Sequence, residues 1–283
     1  MLYYLLLLCL PIPGIIQNIS QKQYNLKEKT PNVILFSAVT SLIALVFFLI
    51  TSGFQLDFDL RLVPYALAFA VGYSSAWVGT VLAVRYGLMA ISSLIISCSL
   101  IFPTVYGIIM GEAVTPMVVI GIALLFAALV LVNLKFSQKE KFSVKWLLCV
   151  LVAFLGNGVC SIAQNLQKRS LGDAYSHEFM IIALAASVVL LMAYAAFTSK
   201  TLWADFKACL PFSAANGVAN AIGNFIILTL IGNIPNTILY PTNSALGMIS
   251  TFLLAFFAYK ERFSRVQYIG YALGMISIVL LNI

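Results

Sequence analysis

The sequence predicts an all-α integral membrane protein of about ten transmembrane helices, arranged as two inverted five-helix repeats. Three observations predict this class: the composition, the length of the apolar runs and an internal repeat. Of the 283 residues, 62% are hydrophobic and 9% are charged, whereas a soluble domain has about 45–50% apolar and about 25% charged residues. The composition excludes a soluble fold and predicts that the protein works within a lipid bilayer.

Breaks at charged or Gly/Pro clusters divide the chain into apolar runs, each near the roughly 20 residues that a spanning helix needs. The runs are too long and too uniformly apolar to be the alternating strands of a membrane barrel. The opening segment lacks the basic region and the small-residue cleavage site of a signal peptide, so it is the first predicted span. The predicted spans are 2–21, 31–52, 62–84, 88–110, 114–134, 145–167, 177–198, 208–230, 234–258 and 266–283.

An internal repeat relates the two halves of the chain. When the sequence is shifted so that Glu112 meets Glu261, Gly121 also meets Gly270, and apolar identities follow on both sides. Each half holds five spans, an odd number, so the second half enters the membrane in the opposite orientation to the first. Inverted repeats suit alternating access around a site near the midplane. The predicted units are a first repeat at 1–134, a basic linker at 135–144 and a second repeat at 145–283.

The ends of the two halves resemble the EamA-type members of the drug/metabolite transporter superfamily. The resemblance rests on two segments: Pro103 to Gly111-Glu112 with Ile120-Gly121, and Lys260-Glu261-Arg262 with Ile269-Gly270. It implies ten helices in two five-helix halves, with the first and sixth helices beside a central cavity. It also implies transport of small solutes, as in a metabolite exporter.

Charge predicts the orientation in a plasma membrane. Of the 16 Lys and Arg residues, all but Arg61, Lys168 and Arg169 lie in the connections after odd-numbered spans. The positive-inside rule makes those connections cytoplasmic and places both termini outside, whereas ten-helix relatives are usually described with both termini inside. The basic residues are spread among short connections, so no nucleic-acid surface is predicted.

Three asparagines give the sharpest local pattern. Asn216, Asn220 and Asn224 recur every four residues in the eighth span and therefore share one helix face. An amide in hydrocarbon needs a partner or water, so this face lines a cavity or bonds to another helix. The aligned positions in the third span are Leu67, Val71 and Ser75, which predicts an asymmetric cavity. We favour cavity lining, because three amides exceed what packing requires.

The sixth and first spans offer further polar candidates. Asn157, Ser161, Gln164 and Asn165 form a polar face in the sixth span, and the first span carries Gln17 and Asn18. These side chains are candidate substrate contacts, and bonding between the two helices is the equal alternative.

Aromatic and proline positions complete the predicted site. In the third span Tyr73 and Trp77 share a face next to Ser75, and they form either an aromatic wall or ordinary packing. In the ninth span a proline removes a backbone donor and predicts a functional kink. The further candidate contacts are Tyr240, Thr242, Asn243 and, in the fourth span, Ser93; the predicted hinges are Pro103 and Pro241.

The predicted spans lack several kinds of functional residue, and their absence makes some functions less expected. No Asp or Glu falls in the centre of a predicted span, so proton antiport through a buried acid is not expected. The five cysteines stand without a metal-ligand or disulfide pattern, and the polar residues suggest no enzyme, metal or cofactor. His177 and Glu178 are expected at the membrane interface, facing different sides of their helix.

These observations predict a secondary transporter, a facilitator or exchanger for a small polar metabolite such as an amino acid. The expected partners are that solute and the lipid bilayer, for a monomer or homodimer. The closest alternative is efflux of drugs or organic cations. The alternative of another class is a lipid flippase or a helper subunit of a membrane complex.

Overall fold

The fold of the protein is all-α. It was analysed in a computed structural model that describes residues 2–28, 31–54, 56–86, 92, 95–133, 143–172, 175–199, 201–258, 260 and 263–282. Within these ranges there is no strand, only an isolated bridge between Ile231 and Ile234. The described helices are α1 (Leu2–Cys9), α2 (Pro11–Lys27), α3 (Val33–Thr51), α4 (Val63–Tyr86), α5 (Ile101–Ile109), α6 (Pro116–Asn133), α7 (Val144–Leu171), α8 (Ser176–Thr198), α9 (Leu202–Leu230), α10 (Asn236–Phe257) and α11 (Arg265–Leu281).

The helices have the lengths that a multi-pass membrane protein requires. Among the described residues, six helical segments are long and apolar enough to cross a membrane: Leu2–Lys27, Val33–Thr51, Leu60–Ala83, Val144–Leu171, Ser176–Thr198 and Leu202–Leu230. Three shorter apolar helices accompany them: Ile95–Ile109, Pro116–Val132 and Arg265–Leu281. The predicted all-α membrane class is therefore confirmed.

The first predicted span differs from the structure at both its middle and its end. Two helices, α1 and α2, replace one run, with the break at Leu10 just before Pro11. Proline lacks the N–H that would continue the helical hydrogen bonds, and its ring crowds the preceding turn. The helix then continues past residue 21 to Lys27, because Gln and Lys are good helix formers although they are not apolar.

Side-chain caps set several helix starts. The Asn32 side chain accepts from the backbone N–H of Leu35 at 3.0 Å, and Ser143 does the same for Trp146 at 3.1 Å. Ser264 forms a reciprocal capping box with Gln267 at the start of α11. These caps satisfy N–H groups that a helix leaves unpaired in its first turn.

Polarity is inverted relative to a soluble protein, as α7 shows. Gln164, Asn165 and Gln167 are buried, while Leu148 and Leu155 are more than half exposed. Lipid is as apolar as leucine, whereas an amide in hydrocarbon has nothing to bond with. The polar face of α7 therefore points into the helix bundle and its apolar face points outward.

Glycines let the most extensively packed pair, α4 and α7, approach at backbone distance. A Cβ atom placed on Gly156 would lie 2.6 Å from the carbonyl oxygen of Gly72. A Cβ atom on Gly79 would lie 2.8 Å from the backbone nitrogen of Ala153. Small residues at a membrane helix interface allow this close packing, so α4 and α7 form one unit.

Other helices pack across the two halves in a related way. α9 packs against α2 and α3, α8 packs against α3 and α4, and α6 packs against α11. The connection after α2 meets the start of α9, where the Asn32 amide donates to Asp205 at 3.0 Å. At the opposite face the Tyr65 hydroxyl donates to Ser170 at 3.1 Å, between the start of α4 and the end of α7.

The glycine contact leads to a stability prediction. Gly156→Ala should destabilise the purified protein by about 1–3 kcal/mol, because the added methyl group overpacks the α4–α7 interface. Gly247→Ala is the matched control, since no atom lies within 4 Å of the Cβ position there, and it should be neutral or stabilising by about 0.5–1 kcal/mol. Thermal unfolding in one detergent measures both; equal shifts for the two variants would contradict the prediction.

Candidate functional site

A cavity of about 370 Å³ lies between the helices near the middle of the bundle. We call it the central cavity. Its volume falls in the range of about 300–1,000 Å³ that small-molecule sites occupy. Its walls come from α4, α7, α9, α10 and the segment before α5. The lining residues are Phe69, Tyr73, Ser97, Ser99, Leu100, Asn157, Cys160, Ser161, Gln164, Asn220, Asn224, Tyr240, Asn243 and Ser244.

Eight of the predicted contacts share this cavity. They come from four separate helices, and each is placed by the burial of its helix's polar face. They are Tyr73, Asn157, Ser161, Gln164, Asn220, Asn224, Tyr240 and Asn243.

Three of the amides form a chain of hydrogen bonds along one wall. The Gln164 amide donates to the Asn224 carbonyl oxygen at 3.3 Å. The Asn224 amide in turn donates to the backbone and side-chain oxygens of Asn220, at 2.9 and 3.1 Å. These bonds join α7 to α9 and fix the orientation of the amides that face the cavity.

Two other amides face the cavity without such bonds. Neither Asn157 nor Asn243 makes a side-chain hydrogen bond with any residue that the structure describes, and both are partly exposed in the cavity wall. The Tyr73 hydroxyl is also buried without a hydrogen bond in the described chain, although Ser41 and Asn220 lie near it. The two amides are therefore available to a solute, whereas the Tyr73 hydroxyl is not exposed to the cavity.

Aromatic rings form the remaining part of the wall. The rings of Phe69 and Tyr73 stack with centroids 5.8 Å apart and an interplanar angle of 16°. Phe179 supports Phe69 edge-on from behind, at 5.7 Å. A flat aromatic surface therefore stands beside the free amides.

A second cavity of about 280 Å³ adjoins the central cavity and shares Tyr73 and Asn157 with it. We call it the adjoining cavity. Its other lining residues include Gln21 of α2, and Trp77 and Thr80 of α4. It therefore separates α2 from α4 and extends toward the face where both helices end. Trp77, a predicted contact, lies here.

Toward the opposite face, polar side chains bond α7 to its neighbours. The Asn165 amide donates to the Tyr240 hydroxyl at 2.9 Å and to the Ser161 carbonyl at 2.8 Å. One turn beyond Gln164, the Lys168 ammonium donates to the Leu228 carbonyl at 2.8 Å. Together with the Gln164–Asn224 bond, these contacts form what we call the amide layer, which joins α7 to α9 and α10.

Other predicted contacts lie in helix interfaces. The buried Asn216 amide donates to the Gln17 carbonyl and to the Ser20 hydroxyl, both at 3.0 Å, and so joins α9 to α2. Asn18 is exposed and donates to Thr251 of α10 at 3.2 Å. Of the three asparagines on this face of α9, Asn216 therefore bonds to α2, while Asn220 and Asn224 line the central cavity.

Ser75 and Thr242 also sit away from the central cavity. The Ser75 hydroxyl donates to the Gly72 carbonyl at 2.9 Å, inside the α4–α7 interface. Thr242 is buried and accepts from Asn282 of α11 at 3.2 Å. Ser93 lies outside the described residues.

The two predicted hinge prolines are both buried within helices. Pro103 lies in the first turn of α5, and the backbone just before it is a 3₁₀ turn at Cys98–Leu100. Proline has no N–H to donate to the carbonyl four residues earlier, which here belongs to Ser99. Ser99 lines the central cavity. Pro241 lies within α10, which is helical from Asn236 to Phe257.

Several lining residues were not predicted from the sequence. Phe69 and Leu100 are ordinary apolar residues with no distinguishing pattern. Cys160, interpreted as packing, lines the cavity and donates to the Phe69 carbonyl at 3.5 Å. Ser244 directly follows the predicted group in α10, and Ser97 and Ser99 belong to the serine-rich fourth span, so clustering of small polar residues was the available signal.

His177 and Glu178 lie in the first turn of α8. Glu178 is buried in the first turn of α8. The His177 ring lies edge-on between Phe48 and Phe225, with centroids 6.0 and 5.9 Å away. His177 faces a separate cavity of about 190 Å³ that Lys168 also lines. Within the described residues, no three His, Cys, Asp or Glu side chains are grouped as a metal site.

Comparison with known proteins shows the fold alone. No family model and no curated protein matches this chain, whereas 29 chains of solved structures do. One of them, described as "Crystal structure of protein", superposes with a TM-score of 0.77 over 98% of this chain and 95% of that chain, at 15% sequence identity.

A substitution can separate the interface role of Asn216 from a role in the cavity. Asn216→Leu should lower the stability of the protein by about 1 kcal/mol, because both bonds to α2 are lost and membrane hydrogen bonds of this kind are each worth roughly 0.6 kcal/mol on average. Asn18→Leu, at an exposed position, should change it by less than about 0.5 kcal/mol. Thermal unfolding measures both. A stable Asn216→Leu protein would contradict the interface role.

Proposed function

We propose that the protein is a secondary transporter that moves a small polar solute through the central cavity by alternating access. The observation that carries the proposal is the cavity itself: it is lined by amides, adjoins a second cavity on one side, and is bordered on the other by the hydrogen bonds of the amide layer. Under this proposal the amide layer closes one end of the cavity, as a single state of an alternating-access transporter requires.

Reciprocal contacts support the two-repeat organisation of this transporter. A Cβ atom on Gly121 would lie 2.9 Å from the Leu281 side chain, and one on Gly270 would lie 2.8 Å from Val132. The shift that aligns Gly121 with Gly270 also aligns Val132 with Leu281. Each half therefore presents the same pair of positions to the other, as expected for elements related by a two-fold axis.

The packing of the other helices supports the same organisation. α4 and α7 are the third and sixth spans; when the two halves are exchanged, they correspond to the eighth and first spans, α9 and α2. In the same way, the α9–α3 contact corresponds to the α4–α8 contact. Both members of each pair are present. This pattern favours repeats at 1–134 and 145–283, the arrangement of the EamA-type transporters that the sequence resembles.

The repeat suggests how access changes. The amide layer joins α7 to α9 and α10, and the corresponding helices of the first half are α2, α4 and the fourth span. In the structure the adjoining cavity lies between α2 and α4, so the contact that would correspond to the amide layer in the first half is not formed. In the opposite state the amide layer would break and Gln21 of α2 would approach Trp77 of α4.

Facilitated diffusion or exchange is the mode that the cavity favours. No acidic, basic or histidine side chain is among the described lining residues, so neither proton loading nor a charged counter-substrate has an evident site. The charge bias along the chain places the adjoining cavity on the cytoplasmic side of a plasma membrane.

Flux measurements test the proposal directly. Liposomes containing the purified protein should pass at least one radiolabelled polar metabolite faster than empty liposomes, and Asn220→Leu should reduce that flux about tenfold, since it removes an amide that holds the wall of the cavity. Asn233→Leu, at an exposed position outside the central cavity, is the matched control. A broad panel of solutes without protein-dependent flux would overturn the proposal.

Cross-linking tests the amide layer as a gate. In a background whose native cysteines are replaced by alanine, Gln164→Cys with Asn224→Cys should allow a short thiol-reactive cross-linker to stop flux, and a cleavable linker should restore it on reduction. Tyr65→Cys with Ser170→Cys is the control pair, because it joins α4 and α7 within one packed unit and should leave flux unchanged. Full flux in the cross-linked Gln164–Asn224 protein would exclude the gate.

A further inference from the structure

The chemistry of the central cavity restricts which polar solutes fit it. Among the described residues, the lining includes five amide side chains, four serine hydroxyl groups, aromatic rings and apolar groups, and it carries no formal charge. A charge moved from water into such a site requires a counter-charge or dedicated hydrogen bonds. An amino-acid zwitterion would bring two charges, and an organic cation one, without a countercharge in the wall.

Helix ends do not replace the missing charges. The amide-bearing residues lie at interior positions of α7, α9 and α10, where the backbone N–H and C=O groups are already paired within the helix. The nearest cation beyond Gln164 is Lys168, which bonds to the Leu228 carbonyl on the far side of the amide layer. The cavity therefore favours an uncharged solute.

The free amides indicate what such a solute presents. Each carboxamide of Asn157 and Asn243 offers an N–H donor and a carbonyl acceptor side by side. This pair is complementary to a solute edge that carries an acceptor next to a donor, as in a lactam or an amidine; Asn and Gln recognise adenine through the same pairing.

The aromatic wall indicates that the solute is flat. Tyr73 stacks on Phe69 and lines the cavity, and Tyr240 lines it from α10. Bases stack on aromatic side chains irrespective of sequence because every base has a π-face. The cavity, at about 370 Å³, holds roughly a dozen waters at about 30 Å³ each, which gives room for a ring of one or two cycles.

We propose that the central cavity binds an uncharged, flat heterocycle with a neighbouring donor and acceptor on its edge, the chemical class to which nucleobases belong. This inference rests on the proposed transport function and names the substrate class of the same site. It departs from the amino-acid expectation because the structure places no charged group in the wall.

Equilibrium binding to the full-length protein in lipid nanodiscs tests the substrate class. The probes are radiolabelled uracil and adenine, with unlabelled competitors. At least one of the two bases should bind at least tenfold more tightly than leucine, a zwitterion, or choline, a cation. Tighter binding of leucine or choline than of both bases overturns the proposal.

Matched ligands test separately whether the hydrogen-bonding edge and the flat ring of the solute are recognised. 1,3-Dimethyluracil keeps the flat ring and loses both N–H donors, whereas 5,6-dihydrouracil keeps the amide edges and loses the flat ring. Each should compete at least about fivefold less well than uracil if uracil is the bound base. For adenine, N6,N6-dimethyladenine serves the same purpose at the edge. Equal competition by the blocked and unblocked ligands would contradict recognition of the edge.

Variants then locate the binding in the central cavity. Asn243→Asp keeps the size of the side chain, removes the N–H donor and adds a charge, so base binding should fall at least tenfold. Tyr73→Leu should reduce it at least about fivefold through lost stacking. Asn233→Leu should leave it unchanged. Thermal unfolding checks that each variant is folded, and a folded Asn243→Asp protein with undiminished binding overturns the assignment.

The outcomes distinguish this inference from the transport proposal. If leucine or another charged solute shows flux that depends on Asn220 while neither base binds, transport stands and the substrate class is wrong. If a base binds in a manner that depends on Asn243 while liposomes show no flux of any solute, the site stands and transport is wrong.

Discussion

Hydrocarbon offers no hydrogen-bond partner to an amide side chain, and the arrangement of this protein follows from that constraint. α7 turns its amide face inward, where Gln164, Asn165 and Gln167 are buried. Its apolar face points outward. Because the amides of α7, α9 and α10 converge, they must either bond to one another or enclose space for water and solute.

Both arrangements occur in this bundle: some amides bond to one another and join helices, and others face the cavity. At the amide layer, Asn165 bonds to Tyr240 and Gln164 bonds to Asn224, so that these side chains satisfy one another and close the bundle. About two turns away, Asn157 has no such bond and faces the cavity. A layer held by a few hydrogen bonds between long side chains can open at modest cost, since each bond contributes about a kilocalorie per mole.

Glycine contacts define the parts that would stay together while that layer opens. The α4–α7 interface brings Gly156 within reach of the Gly72 backbone, which leaves no room for sliding. The α6–α11 interface repeats the same kind of contact with Gly121 and Gly270. Under the proposed mechanism, motion would then be concentrated where polar side chains, and not backbones, join the helices.

Under the proposed two-repeat organisation, the asymmetry of the cavity follows from divergence between the repeats. All five amides in the wall come from α7, α9 and α10, whereas the segments before α7 supply Phe69, Tyr73, serines and Leu100. The sequence indicated this difference, because the asparagines of the eighth span align with Leu67, Val71 and Ser75. The amides therefore come from the later helices, while Phe69 and Tyr73 of α4 supply stacked aromatic rings.

Composition and periodicity determined the membrane class, most helix bounds and the polar faces, because the cost of polar groups in lipid is local to each helix. They also placed eight candidate contacts that share the cavity. Tertiary structure decided which neighbour covers each face at each depth. Asn216 and Asn220 lie one turn apart on one face, yet α2 covers the first and the cavity meets the second. A helical period specifies a face, whereas the packing of the neighbouring helices decides whether that face becomes an interface or the wall of a site.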